Sequence, residues 1–262
     1  TFSTTAGGHI SLSPDGHMLA FVATDSSGKS LLWVRPLNAL VGQPLNGTDG
    51  ALFPFWSPDS RFIGFFAGTK LKKVEATGGP PQTICDAPIG RGGTWNREGT
   101  IVFCPNGAPG FSLSRVSAAG GVPVVITKLD ISRNELNHRW PYFLPDGKHF
   151  LYNSRTVAGG VGETDATFLA SLDSTFKPRL LLNAGSSIKY SNGHLLFVRE
   201  QILLARPFDA KQLEFTDEAF PIAEQVHFWP GTSKASFSIS DNDILAYQTG
   251  AVVGGGRLIW YD

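Results

Sequence analysis

The chain is poor in the features that most often announce a function. Its 22 basic and 22 acidic residues cancel, and together they make up only 17% of the 262 residues. A zero balance at low charge density excludes a general attraction to nucleic acid or to an anionic membrane surface. Two cysteines, Cys85 and Cys104, cannot build a disulfide framework. A single bridge stays open, but two separate buried thiols are expected, because free cysteine packs as a small hydrophobe. Neither has a histidine at metal-ligand spacing. No run of 18 or more residues is apolar, so no membrane-spanning helix is expected. No secretory leader is visible. The chain opens on Thr1 and its only methionine is Met18, which suggests a piece of a longer protein.

Catalytic signatures are also missing. There is no glycine-rich loop with a strand lysine, no H-R-D and no D-F-G, so no kinase site is expected in this sequence; a G-x-S-x-G nucleophile elbow is lacking as well. P-loop, dinucleotide and zinc patterns do not occur. Gly254-Gly255-Gly256 reads as a turn. The densest oxygen cluster, Asp241-Asn242-Asp243, falls short of the ligand count of a calcium loop and is read as a turn. No cofactor is expected.

What the sequence does have is glycine and proline, 30 and 17 residues, and a recurring turn. The turn reads Ser13-Pro14-Asp15-Gly16, Ser57-Pro58-Asp59-Ser60 and Leu144-Pro145-Asp146-Gly147. Degenerate copies stand at Asn96-Arg97-Glu98-Gly99, Tyr190-Ser191-Asn192-Gly193 and Ser240-Asp241-Asn242-Asp243. Asp bonds its own local backbone and Gly tolerates positive φ, so each copy is a tight turn. A period of about 40–50 residues with strand-like flanks predicts a β-propeller.

Each unit follows one grammar. A short strand enters the turn, and an apolar strand leaves it, as in Met18-Leu19-Ala20-Phe21-Val22 or Phe62-Ile63-Gly64-Phe65-Phe66. Such short apolar runs fit strands buried on both faces. A more alternating third strand follows, then a glycine turn and a weak, proline-containing edge strand. The predicted fold is all-β: one six-bladed propeller over 1–262, with four-stranded antiparallel blades at 7–46, 51–86, 92–127, 138–183, 187–226 and 233–262. Residues 1–6 are expected to supply the missing outer strand of the last blade. Trp260-Tyr261-Asp262 could instead lead into further repeats.

The S-P-D-G turns with their apolar strands resemble the TolB-type propeller repeat family. Phe53-Pro54-Phe55-Trp56-Ser57-Pro58-Asp59-Ser60, Leu71-Lys72-Lys73-Val74, Gly92-Gly93-Thr94-Trp95-Asn96 and the stretch from His138-Arg139-Trp140 to Asp146-Gly147 resemble a narrower group. That group is the propeller region carboxy-terminal to the kinase domain in bacterial, acidobacterial-type, membrane serine/threonine kinases. The resemblance implies an extracytoplasmic sensor or scaffold domain of a larger signalling protein, without the kinase itself.

In a propeller the first strands line the channel, and the fourth-to-first and second-to-third loops share one face. Long insertions at 128–138 and 155–165 fall in those loops, which marks that face for binding. Within the first, Ser132 and Glu135 have capping-box spacing and predict a short helical turn. The candidate ligand residues at that channel mouth are His9, Phe53, Arg91, His138, Arg139 and Trp229, with Phe55, Trp140, Lys189 and Phe228 beside them. Aromatic and Arg groups make strong interface anchors. Arg91 and Arg139 could grip a carboxylate or phosphate in two-pronged fashion; the bland alternatives are core packing for the tryptophans and solvated rim charges for Arg91, His138 and Arg139. The expected role is non-catalytic binding of a protein, peptide or small molecule. A channel-metal enzyme of lactonase or lyase type and a structural spacer are the alternatives.

Overall fold

The structure, a computed structural model, describes residues 9–24, 27–156 and 165–249. Five antiparallel sheets follow one another along the chain. The first holds β1 (Ile10–Leu12), β2 (Met18–Thr24), β3 (Ser30–Pro36) and β4 (Gln43–Pro44); the second holds β5 (Leu52–Trp56), β6 (Phe62–Ala67), β7 (Lys70–Glu75) and β8 (Gln82–Asp86). The third consists of β9 (Gly93–Trp95), β10 (Thr100–Phe103), β11 (Ser114–Ser117) and β12 (Val124–Val125). The fourth consists of β13 (Glu135–Phe143), β14 (His149–Thr156), β15 (Ala166–Ser171) and β16 (Arg179–Leu182). In the fifth, β17 (Lys189–Ser191), β18 (His194–Arg199) and β19 (Ile202–Asp209) are followed by β20 (Glu214–Phe215) and β21 (Phe220–Ala223), which both pair with β19. Two strand pairs complete the described chain: β22 (Phe228–Trp229) with β23 (Lys234–Ala235), and β24 (Phe237–Ile239) with β25 (Leu245–Tyr247).

Sheets with a short inner strand, a fully buried second strand and an exposed outer one stack through the faces of their second strands. Period-two alternation decides which neighbour each residue meets. Ile63 and Phe65 of β6 pack with Ala20, Val22 and Leu32 of the first sheet, while Phe66 packs with Ile101 and Phe103 of the third. On β10, Ile101 and Phe103 face the second sheet, and Val102 with Cys104 faces Phe150 and Phe168 of the fourth. Leu151 and Leu169 meet Leu195 and Phe197 across the next gap. β24 and β25 fill the space between the fifth sheet and the first, with Phe237 against Leu196 and Val198 and with Ile244 and Ala246 against Leu19 and Phe21. Hydrophobic burial between faces, rather than a single central core, therefore holds the molecule together.

The three serine-led turns share one arrangement. Ser13 Oγ donates to Asp15 Oδ1 at 2.5 Å, the His17 amide donates to the same carboxylate at 3.0 Å, and the Met18 amide donates to Ser13 Oγ at 2.9 Å. Ser57, Asp59, Arg61 and Phe62 repeat the arrangement, and so do Ser240, Asn242 and Ile244. Neighbouring turns are also tied to each other. Asn96 Nδ2 donates to the Gly147 carbonyl at 2.8 Å, and the Asp241 amide to the Pro14 carbonyl at 2.9 Å. The Leu12 amide donates to Ser238 Oγ at 2.9 Å, joining β1 to β24 across 226 residues of chain.

Some expectations change in detail. The helical turn at Ile131–Arg133 is capped by Asp130, not Ser132: the Asp130 carboxylate takes the Ser132 amide, and Glu135 takes the Asp130 amide. Phe228 and Trp229 do not lead into a first strand. They form the separate β22–β23 hairpin, because Pro230-Gly231 turns the chain back first. Cys85 and Cys104 are free and buried, and burial pushes both thiols up to about 11, which leaves them inert. The expected strand at 258–261, the closing segment at 1–6 and most of the 155–165 insertion lie outside the described residues.

Candidate functional site

The inner strands β1, β5, β9, β13, β17 and β24 surround a channel. Toward the turns it widens into a cavity of about 360 Å³. Its walls carry Ser11, Phe55, Thr94, Tyr142, Tyr190 and Ser238, one from each inner strand, and its rim carries Pro14, Pro58, Arg97, Pro145, Asn192 and Asp241 from the turns. Toward the loops the channel shrinks to about 40 Å³, bounded by His9, Phe53, Trp140, Ser187 and Lys234. Lys189 borders both spaces.

Two backbone irregularities make the narrow end. β5 and β13 each carry an extra residue against their partner strand, between Leu52 and Phe55 and between Arg139 and Tyr142. Within those bulges Phe53 and Trp140 sit at φ of 50° and 52°, a conformation bulky side chains rarely adopt. Their rings meet edge to face with centroids 4.9 Å apart. The strain is held by partners: the Phe53 amide donates to His9 Nδ1 at 2.9 Å, and the Trp140 amide to the Arg91 carbonyl at 3.1 Å. Because an amide can only donate, Nδ1 is the accepting nitrogen of a neutral His9 ring. Burial first, then the Lys234 and Arg91 charges, lower that imidazole to about 3. Glycine is required nearby. A Cβ on Gly92, at φ 86°, would lie 2.6 Å from the Trp140 ring, and one on Gly93 would lie 2.6 Å from Phe55.

The β22–β23 hairpin folds over this end. Arg139 and Trp140 Nε1 both donate to the Thr232 carbonyl, at 3.2 and 2.8 Å, and Arg155 donates to the Gly231 carbonyl at 3.0 Å. Ser233 Oγ donates to the buried Asp165 carboxylate at 2.7 Å.

Of the residues singled out from sequence, the structure brings His9, Phe53 and Arg91 together. His9 stacks on Phe53 at 4.3 Å and the Arg91 guanidinium lies 5.5 Å from the same ring. Arg139 is buried, and its donors are taken by Asn137 Oδ1 and by the Gly107 and Thr232 carbonyls, so it works as an internal lock. His138 points the other way, as strand alternation requires. It is buried between the third and fourth sheets, with Thr127 Oγ1 at 2.9 Å, Glu135 Oε2 at 3.0 Å and the Tyr152 ring at 4.6 Å. Burial alone would raise Glu135, but hydrogen bonds from His138 and the Asp130 amide prevail and hold it at about 2. Trp229 stands half-buried on the hairpin, edge to face with His227. The sequence reading placed Lys189 only beside the site and did not single out Lys234, which has no motif around it.

Among the described residues no three His, Cys, Asp or Glu side chains converge in a way that could hold a metal ion. No helix there is long and apolar enough to cross a membrane.

No family model and no curated protein matches the chain. Solved structures do. TolB from Acinetobacter baumannii superposes with a TM-score of 0.60 at 12% identity, over 82% of this chain and 54% of that one. A protein assigned as TolB from Agrobacterium tumefaciens gives 0.58 at 15% identity, over 86% and 82%. The fold is a TolB-like β-propeller. Its chain spans about half the length of the Acinetobacter protein. An oligogalacturonate lyase in complex with manganese shares the architecture, with a TM-score of 0.54 at 14% identity over 95% and 87%. TolB and a lyase thus share one frame, and at these identities the likeness carries the fold alone.

Proposed function

We propose that this chain is a non-catalytic binding propeller whose ligand occupies the central channel, within the extracytoplasmic sensor or scaffold part of a larger signalling protein. The ring has six blades in this reading, with β24–β25 as the inner half of the sixth. The apolar packing of that pair against both the fifth and the first sheets supports the count. The observation that carries the binding role is the channel itself. It offers about 360 Å³, opens at the turn end, and lines that volume with aromatic rings and scattered hydroxyl and amide groups. Polar and apolar surface are about equal on this wall, so it can hold an apolar body and orient it with fixed polar groups, as small-molecule and peptide sites do. The loop end, where sequence reasoning placed the ligand, is narrow and covered by the hairpin.

Among the described residues that line the wide cavity there is no histidine or cysteine, and the Ser191 hydroxyl is held by Asp243 and the Ser240 carbonyl in the turn, which favours binding over turnover. The extracytoplasmic setting rests on the resemblance to membrane kinases. Ligand-observed NMR with a mixed library of peptides, sugars and organic acids tests the reading, repeated on a channel-filling Ile239→Trp variant. Binding that Ile239→Trp abolishes is the expected result. Binding that the variant leaves intact puts the site elsewhere, and silence across the library leaves a protein partner on an outer face or a spacer role.

A further inference from the structure

The base of the wide cavity carries a charge arrangement that packing does not explain. Lys189, at the start of β17, reaches the junction of the two channel spaces, and Lys234, on β23, borders the narrow one. Both are half-buried and line the channel. Among the described residues neither ammonium has a carboxylate within ion-pair distance. Their nearest cushions are rings: Lys189 Nζ lies 4.5 Å from the Tyr142 centroid, and Lys234 Nζ lies 5.3 Å from Trp140. Among the described residues the narrow space is lined by no Asp or Glu, and the wide one by Asp241 alone, out on the rim turn beside Arg97. Buried cations are normally paired, so two unpaired ones at the foot of an open channel are an unfilled half of an interaction.

The surroundings specify the other half. Tyr142 OH is occupied by the Tyr190 carbonyl at 3.1 Å, and His9 Nδ1 by the Phe53 amide. The charged donors at the channel foot are the two ammonium groups, which act as point charges rather than a planar fork, with the neutral His9 Nε2–H beside them. Above them the wall is aromatic, with Phe55, Trp56, Tyr142 and Phe143. We infer that the channel takes an organic carboxylate head first from the turn end, with the carboxylate between Lys189 and Lys234 and an apolar body against the aromatic wall. This inference rests on the channel-binding reading above. Electrostatics agree with it. Burial, then repulsion from Lys234, bring Lys189 down to about 7, and burial brings Lys234 down to about 8. An anion relieves both effects, so its binding draws a proton onto the lysines.

The acid could be a free small molecule or the carboxyl end of a peptide, and calorimetry on the whole chain at pH 7.5 separates the two. The probes are 4-phenylbutanoate and its neutral amide, and Gly-Gly-Gly-Phe with a free or an amidated terminus. The acid should bind at least about tenfold tighter than the amide, as loss of a charge-assisted contact implies. Heats measured in two buffers of different ionisation enthalpy should show proton uptake. Lys189→Met should remove both the preference and the uptake, and Lys234→Met should reduce them. Binding of the free-ended peptide as well assigns a chain terminus as the natural source; binding of phenylbutanoate alone assigns a small acid. Equal binding of acid and amide, or acid binding unchanged in both methionine variants, overturns the carboxylate assignment and leaves the channel reading standing. No heat from any probe, together with no Ile239→Trp-sensitive ligand in the NMR library, overturns both.

Discussion

The two ends of the channel share the inner strands β1, β5, β9, β13 and β17 and have opposite characters. At the turn end each strand leaves the axis through a side-chain-locked turn, with Ser13 and Asp15 or Ser57 and Asp59 satisfying the local amides. Regular turns keep the strands apart and the cavity open. At the loop end two bulges push Phe53 and Trp140 inward, a hairpin crosses over them, and Gly92 and Gly93 allow the rings to pack closely. Regularity makes the opening and irregularity makes the plug. Strained backbone is retained at the plug because His9, Arg91 and Arg139 over-determine it.

The contrast breaks most readily at the plug. His9→Asn addresses its acid sensitivity. The His9 ring is lowered from 6.5 to about 3, so the unfolded chain takes up a proton that the folded chain refuses. Stability is unaffected above pH 6.5 and falls as pH drops from 6.5 toward 3, on the order of 4 kcal/mol at the bottom of that window. Asparagine can accept the Phe53 amide without titrating, so denaturant titrations of His9→Asn should show a flatter slope between pH 6 and 4. An unchanged slope would mean His9 does not stay neutral. Gly92→Ala is next. It meets the Trp140 ring and forces a Cβ onto a φ of 86°, and should cost about 3 kcal/mol. A melting temperature within a degree of the native chain would show the plug to be loosely packed.

Lys189 gives a smaller effect of the same pH sense, in a window some units higher. Its ammonium is lowered from 10.5 to about 7, so the charged form burdens the fold fully below pH 7 and progressively less as pH rises toward 10.5. Lys234, His9, Tyr142 and Tyr190 surround it. Without ligand, Lys189→Met should stabilise the protein by about 1–2 kcal/mol at neutral pH, and the gain should fade above pH 9. Destabilisation by the variant would mean that the ammonium has a partner. The turn end should respond least. Asp59→Ala removes one local acceptor on the surface and should cost about 1 kcal/mol, with no change in channel binding.

The same contrast divides what could be read from sequence. The turns were legible because Ser, Asp and Gly act within four residues of themselves, and the second strands because alternation toward two neighbours makes them continuously apolar. His9, Phe53 and Arg91 were placed at one end of the channel by their position before the first strands, and they do meet. Arg139 and His138 were harder. They are adjacent, so alternation sends them to opposite sides, and a two-residue bulge beside them hides the phase. Pro230-Gly231 reads as an ordinary loop, and only the tertiary contacts of Thr232 reveal a cover. Lys189 and Lys234 are 45 residues apart in sequence, and nothing local marks either as lacking a counter-charge.

Most pairings in this molecule are between strands close in sequence, and each sheet can form soon after its own stretch of chain is available. The bond from the Leu12 amide to Ser238 Oγ is different, since it waits for 226 residues to be in place. Closing so long a loop is entropically late, so the seam between β1 and β24 should be the last contact made in folding and the first lost in unfolding. Hydrogen exchange would see it as a hinge line: the amides of Leu12 and Asp241 should open at a lower free energy than those of β6 or β10, and the ring should breathe there without melting.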